Sequence, residues 1–114
     1  MSWWRPLTVS LVLVGAVAVG LAGCSSEDTP AAPTDPVLLE GQQIFSSQCA
    51  GCHGRAGGGG FGSKLSDGQV VENYPDIADQ IAVIADGQGG MPGFEGRLTD
   101  AQLEAVALYT REVL

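Results

Sequence analysis

The sequence predicts an all-α fold, and three local signals predict it. Asp35-Pro36 makes a helix N-cap and first-turn pair. Thr99 and Gln102 stand at capping-box spacing near the other end. Between them, Asp76 to Asp86 repeats apolar residues at helical intervals up to a terminating Gly87. No alternating stretch of strand length and no internal repeat occurs.

The elements follow in order. After Pro36, residues Leu38, Gly41, Ile44, Phe45 and Gln48 recur three and four apart and trace one face of a first helix. Gly41 inside that helix costs about 1 kcal/mol relative to alanine, so the position wants a packing reason. The middle helix, Asp76 to Asp86, turns Ile77, Ile81 and Ile84 inward. In the last helix Leu103, Val106, Ala107 and Thr110 line one face with Tyr109 beside it, and Leu98 and Leu103 sit at the positions of a hydrophobic staple.

The N-terminus reads as a secretory signal. Arg5 supplies a positive n-region, and an uncharged apolar run extends from Leu7 to Leu21. Leu21-Ala22-Gly23-Cys24 looks like a bacterial lipobox, which makes residues 1–23 a lipoprotein signal peptide and Cys24 the lipidated first residue. An uncleaved membrane helix is the competing reading, at the short edge of the roughly 17–25 residues needed to span a bilayer. Residues 24–35 read as a lipid-anchored flexible tether, polar and proline-punctuated. Its last eleven residues reach roughly 34 Å in polyproline form at ~3.1 Å each. The expected location is therefore the extracytoplasmic face of the cell membrane.

Five basic residues face thirteen acidic ones, a net charge of −8 that becomes −9 without the leader. This excludes nucleic acid as a partner and points to one with a basic or neutral docking surface. Residues 36–114 are few for one hydrophobic core.

Cys49-Ala50-Gly51-Cys52-His53 carries the chemistry. A C-x-x-C-H run in an exported protein is the attachment site of a c-type haem. Two sulfurs three positions apart can each add to a vinyl group of one porphyrin, and the following imidazole reaches the iron. Cys49 and Cys52 are the expected thioether anchors and His53 the proximal ligand. Haem also supplies the apolar bulk that so short a chain lacks, so the apoprotein is expected to be largely unfolded.

The second ligand follows by elimination. His53 is the only histidine, and Met1 leaves with the signal, which leaves Met91 in Gly89-Gly90-Met91-Pro92-Gly93-Phe94, 38 positions after His53. Methionine opposite histidine raises the potential of an electron carrier. A core methionine in a glycine-rich loop is the competing reading.

The run Gly57-Gly58-Gly59-Gly60-Phe61-Gly62 reads as a flexible loop, and it lacks the Lys-Ser/Thr of a phosphate-binding loop.

Gly41-x-x-x-Phe45, Cys49-x-x-Cys52-His53-Gly54, the glycine-rich run leading to Leu65, Met91-Pro92 and Val106-x-x-Tyr109 together resemble a small monohaem class I c-type cytochrome of the bacterial lipoprotein type. The resemblance covers roughly Pro36 to Leu114. It implies a small cytochrome c-like fold, with helices wrapped around one covalently bound haem c. It also implies that Gly41 lets the last helix cross at close range, with Phe45, Val106 and Tyr109 packed at the crossing. Leu65 would pack on the haem. A proline is usual at the place of Ser63, whose backbone carbonyl would accept the proton of the proximal histidine.

The expected function is single-electron transport between donor and acceptor complexes in the membrane, by a non-enzymatic, monomeric carrier. The exposed haem edge would be the contact surface, with Phe94 as an apolar rim. The alternative is a haem-based sensor or peroxidase-like enzyme in which Met91 is displaceable. A redox dithiol at Cys49 and Cys52 lacks the βαβ pattern it would need, and a zinc site lacks a fourth ligand. A fixed subunit of an oxidase or dehydrogenase stays open beside the mobile carrier.

Overall fold

Asp35 starts the first helix through its side chain. Its carboxylate accepts from the backbone N–H groups of Val37 at 2.8 Å and Leu38 at 3.2 Å, and Pro36 takes the first helical position. In the computed structural model, which describes residues 29–114, this cap opens α1, Pro36–Ile44. The expected leader, Cys24 and the beginning of the expected tether lie outside the described residues. The part of that tether nearest α1 is described, and its Pro30 carbonyl accepts from the Gln42 side chain at 3.0 Å.

The first helix does not simply end. It widens into a π-helical turn, Phe45–Cys49, and continues as α2, Ala50–His53. The Ser47 hydroxyl donates to the carbonyls of Gln43 at 2.9 Å and Ile44 at 3.2 Å, side-chain bonding of a kind that bends helices. Such wide turns concentrate at functional sites, and this one immediately precedes the C-x-x-C-H run. Gly54, at φ 80°, terminates α2.

Helix α3, Gln69–Asn73, was not expected. It is one short turn and a half, started at Gly68 (φ 78°) with no side-chain cap, and Val70 is its buried residue. Asp67 before it holds a positive φ of 58° and pairs with Lys64 at 2.6 Å, which lowers the Asp67 carboxyl from its ordinary range. Helix α4, Ile77–Asp86, begins where Asp76 accepts from Ala78 N–H at 2.9 Å and ends at Gly87. Of the expected inward isoleucines, Ile84 is buried while Ile77 and Ile81 are only partly so. Gln80 shares their face and is buried more deeply.

Helix α5, Asp100–Glu112, carries the expected capping box. Gln102 N–H donates to Thr99 Oγ1 at 3.3 Å, and Thr99 N–H donates to Gln102 Oε1 at 3.1 Å. Its face of Leu103, Ala105, Val106, Ala107, Tyr109 and Thr110 is buried. Among the described residues β-structure is limited to two isolated bridges, Gln88 with Met91 and Glu95 with Leu98.

The crossing of α1 and α5 organises the core. A methyl group on Gly41 would overlap the carbonyl oxygen of Ala105 and stand 2.7 Å from Tyr109 Cβ, so glycine is what permits the approach. Phe45 and Tyr109 pack there with ring centroids 5.6 Å apart, tilted by 48°. Both rings are buried, as are Ile44, Ile84, Phe94, Leu103, Val106 and Ala107 around them.

Candidate haem site

The loop after His53 is folded tightly back on the C-x-x-C-H run. Gly59 N–H donates to the His53 carbonyl and Gly62 N–H to the Cys52 carbonyl, each at 2.8 Å. Leu65 and Ser66 both donate to the Gly57 carbonyl, at 2.7 and 3.1 Å. The glycine run expected to be flexible is thus pinned through its backbone. Gly62 has a steric reason as well, since a methyl there would stand 2.7 Å from the His53 ring.

The imidazole is oriented by the next residue of that loop. His53 Nδ1 lies 2.8 Å from the Ser63 carbonyl oxygen. A carbonyl only accepts, so Nδ1 donates its proton and Nε2 keeps a free lone pair. Such a bond to the second ring nitrogen fixes tautomer and ring direction in metal-binding histidines. The acceptor is backbone, so Ser63→Ala is expected to leave the haem spectrum and midpoint potential of the loaded protein unchanged. A potential shifted by more than about 30 mV, roughly threefold in equilibrium for one electron, would contradict this.

Met91 is held by the backbone of its own turn. Gln88 and Met91 exchange N–H···O bonds at 3.1 and 2.9 Å. The turn then packs onto the end of α4, where Phe94 N–H donates to the carbonyls of Ile84 and Ala85 at 3.0 and 2.9 Å. A methyl on Gly93 would stand 2.6 Å from the Ala85 carbonyl oxygen, which explains that glycine.

These segments meet around a cavity of about 550 Å³. Cys49, Cys52, His53 and Met91 all line it, together with apolar walls that include Leu65. The volume lies within the range of cofactor sites, roughly 300–1,000 Å³. No carboxylate is among the lining residues, although acidic residues dominate the chain. The donor set fits a haem: two thiols not joined to each other, one imidazole with a free nitrogen and one thioether, facing an apolar space.

The competing chemistries fit less well. Burial, aided by the neighbouring Cys52, pushes the Cys49 thiol up to about 11. A redox dithiol needs the opposite, a lowered thiol that ionises readily. Among the described residues no three His, Cys, Asp or Glu side chains are grouped to hold a metal ion, as a zinc site would require.

Phe94 does not take the place expected for it. Phe94 is 4% exposed and belongs to the core, so it is not a rim residue. Burial there follows from the backbone bonds that fold its segment under α4. Phe61 is 99% exposed beside the cavity. Gln80 is polar by type, yet its position three residues after Ile77 places it on the apolar face of α4.

A family profile described as cytochrome C oxidase, cbb3-type, subunit III matches residues 36–109. Cytochrome c6 of Leptolyngbya boryana is 41% identical over 71 residues, covering 60% of this chain and 84% of that protein. Among solved structures, cytochrome c6C from Synechococcus sp. PCC 7002 superposes with a TM-score of 0.54 at 27% identity, covering 64% of this chain and 92% of the other. The dihydro-heme d1 dehydrogenase NirN in complex with DHE superposes with a TM-score of 0.60 at 28% identity, but this chain spans only 16% of it.

Fold and site together define a small all-helical cytochrome of the class I c type. The chain belongs to the family of the cytochrome C oxidase, cbb3-type, subunit III profile and is similar in sequence to the cytochromes c6. It is a single-electron carrier with one covalently bound haem c, and not an enzyme.

The expected location needs correction. A lipid-anchored protein on the extracytoplasmic membrane face is overturned by the sequence relatives, which are cytochromes c6. Among the described residues, no helix is long and apolar enough to cross a membrane. A signal resembling a lipobox is three small or apolar residues before a cysteine, a pattern short enough to arise without lipidation.

Proposed function

We propose that residues 36–114 form a monomeric electron-transfer unit in which Cys49 and Cys52 would bind a haem through thioethers and His53 and Met91 would ligate its iron. The observation that carries this reading is the convergence of these four side chains on one cavity, with Nε2 of His53 left free by the bond to Ser63. When bound, the haem supplies a reversible one-electron change at its iron. The chain's own part is to hold both ligands still. His53 is fixed through Ser63 and the packed glycine loop, and Met91 through its turn with Gln88. Ligands held in this way need not rearrange between oxidation states. Phe61 offers an apolar contact for a redox partner beside the site, and the carboxylates lie outside the cavity lining.

Optical spectra of haem-loaded protein and its Met91→Ala variant test the ligand set. The oxidised parent is expected to show the far-red sulfur-to-iron charge-transfer band, and the variant to lose it. The variant should also bind carbon monoxide, and its potential should fall. A parent without the band that binds carbon monoxide freely would have an open iron position, which is the property of a sensor or peroxidase-like protein.

A further inference from the structure

Gln80 is 5% exposed and lines the haem cavity together with Thr110, also 5% exposed. A buried amide in a largely apolar wall is tolerated only when its polar groups are bonded. Its Nε2 donates to Thr110 Oγ1 at 2.7 Å, and that hydroxyl donates to the Ala107 carbonyl at 2.9 Å. Its Oε1 accepts from the Arg111 guanidinium at 3.2 Å. The same guanidinium donates to the carbonyls of Tyr74 at 2.8 Å and Pro75 at 3.1 Å. Arg111 therefore joins α5 to the segment before α4 and to α4 itself, from behind the cavity wall.

The direction of the amide follows from chemistry. A guanidinium has donors only, so a flipped Gln80 would set its NH₂ against Arg111 and lose the bond. Its oxygen must face Arg111, which does not line the cavity, and its NH₂ must face Thr110, which does. We propose that Arg111 is a positioning residue that locks the Gln80 amide with its positive end toward the haem cavity, and that this dipole favours the reduced haem. The inference rests on the haem filling this cavity, as proposed above. Oxidised haem carries one more positive charge than reduced haem. A fixed dipole with its positive end toward it disfavours the oxidised form, and more strongly in an interior of low dielectric.

The test is the midpoint potential of haem-loaded parent, Gln80→Met, Arg111→Lys and the double variant, by redox titration followed optically. Methionine keeps the unbranched length without the amide dipole. Lysine keeps the charge but cannot satisfy three acceptors from one planar fork. Each single variant is expected to lower the reduction equilibrium constant about threefold, or ~28 mV at 59 mV per tenfold for one electron. The double variant should fall no further than Gln80→Met alone.

An unchanged potential in Gln80→Met would overturn the proposal. So would an Arg111→Lys effect that is the same with and without Gln80, since charge or packing would then act alone. If Gln80→Met does not load haem, Gln80→Leu takes its place with the same expectation. The far-red band keeps the readings separate: its absence from the parent removes the Met91 assignment, whereas the potential differences among variants judge the Gln80–Arg111 pair.

Discussion

Gly41→Ala is expected to destabilise the haem-loaded protein by about 3 kcal/mol, at the upper end of ordinary overpacking. The new methyl would overlap the carbonyl oxygen of Ala105 and crowd Tyr109 Cβ at 2.7 Å. Neither is the free end of a flexible side chain, so α1 and α5 must separate. Separation opens the Phe45–Tyr109 contact and the buried face of α5. Alanine's better helix propensity, about 1 kcal/mol, acts in the opposite direction and is smaller. For a domain of this size, about 3 kcal/mol lowers the thermal midpoint by roughly 12–24 °C. Thermal unfolding followed by far-ultraviolet circular dichroism measures it. A midpoint within about 3 °C of the parent, less than 1 kcal/mol on the same scale, would mean that the crossing is loose.

What could be read in the sequence depended on how local its cause is. Asp35, Thr99 and Gln102 cap their helices through bonds spanning two or three residues, and all form as expected. Gly87 ends α4 in the same local way. The need for glycine at Gly41 was legible only through resemblance, because its neighbours Ala105 and Tyr109 are more than sixty residues away. The Ser63 carbonyl was likewise anticipated and does lie against His53.

Other features left no local trace. The π-turn at Phe45–Cys49 continues the periodicity of α1 and differs from it by a slip in hydrogen bonding. Helix α3 has no side-chain cap and little apolar pattern beyond Val70. Gln80 is polar by type and buried only because Thr110 and Arg111 satisfy both ends of its amide. Phe61 and Phe94 are the same residue type in glycine-rich surroundings, and only the chain's path beneath α4 separates them.

The residues proposed for the site stand out in the sequence more clearly than the residues that support them. The C-x-x-C-H spacing is set by porphyrin chemistry, which acts within five residues and so must be written locally. Holding Met91 near His53 requires the whole fold.

That division leads to the largest effect expected of this chain. A Cys49→Ser/Cys52→Ser protein produced without haem attachment should show no cooperative unfolding transition. The haem cavity measures about 550 Å³. A sealed void of that size would cost about 13 kcal/mol at ~24 cal/mol per Å³. The total stability of a domain of 79 residues is roughly 4–12 kcal/mol at 0.05–0.15 kcal/mol per residue. The cavity opens beside exposed Phe61, so water relieves part of the cost, but its walls include Phe45, Ile84, Phe94 and Val106 from the core itself. Half of the sealed value, about 6.5 kcal/mol, already exceeds the lower part of that range, and the full value exceeds all of it. Helix α5, with its capping box, should retain fractional helicity, while the near-ultraviolet signal of Tyr74 and Tyr109 should be lost. A sharp thermal transition with an intact near-ultraviolet spectrum would show that the crossing of α1 and α5 folds without the cofactor. In the expected case the haem is a structural part of the interior, and the residues that bind it also determine whether the chain has a fold.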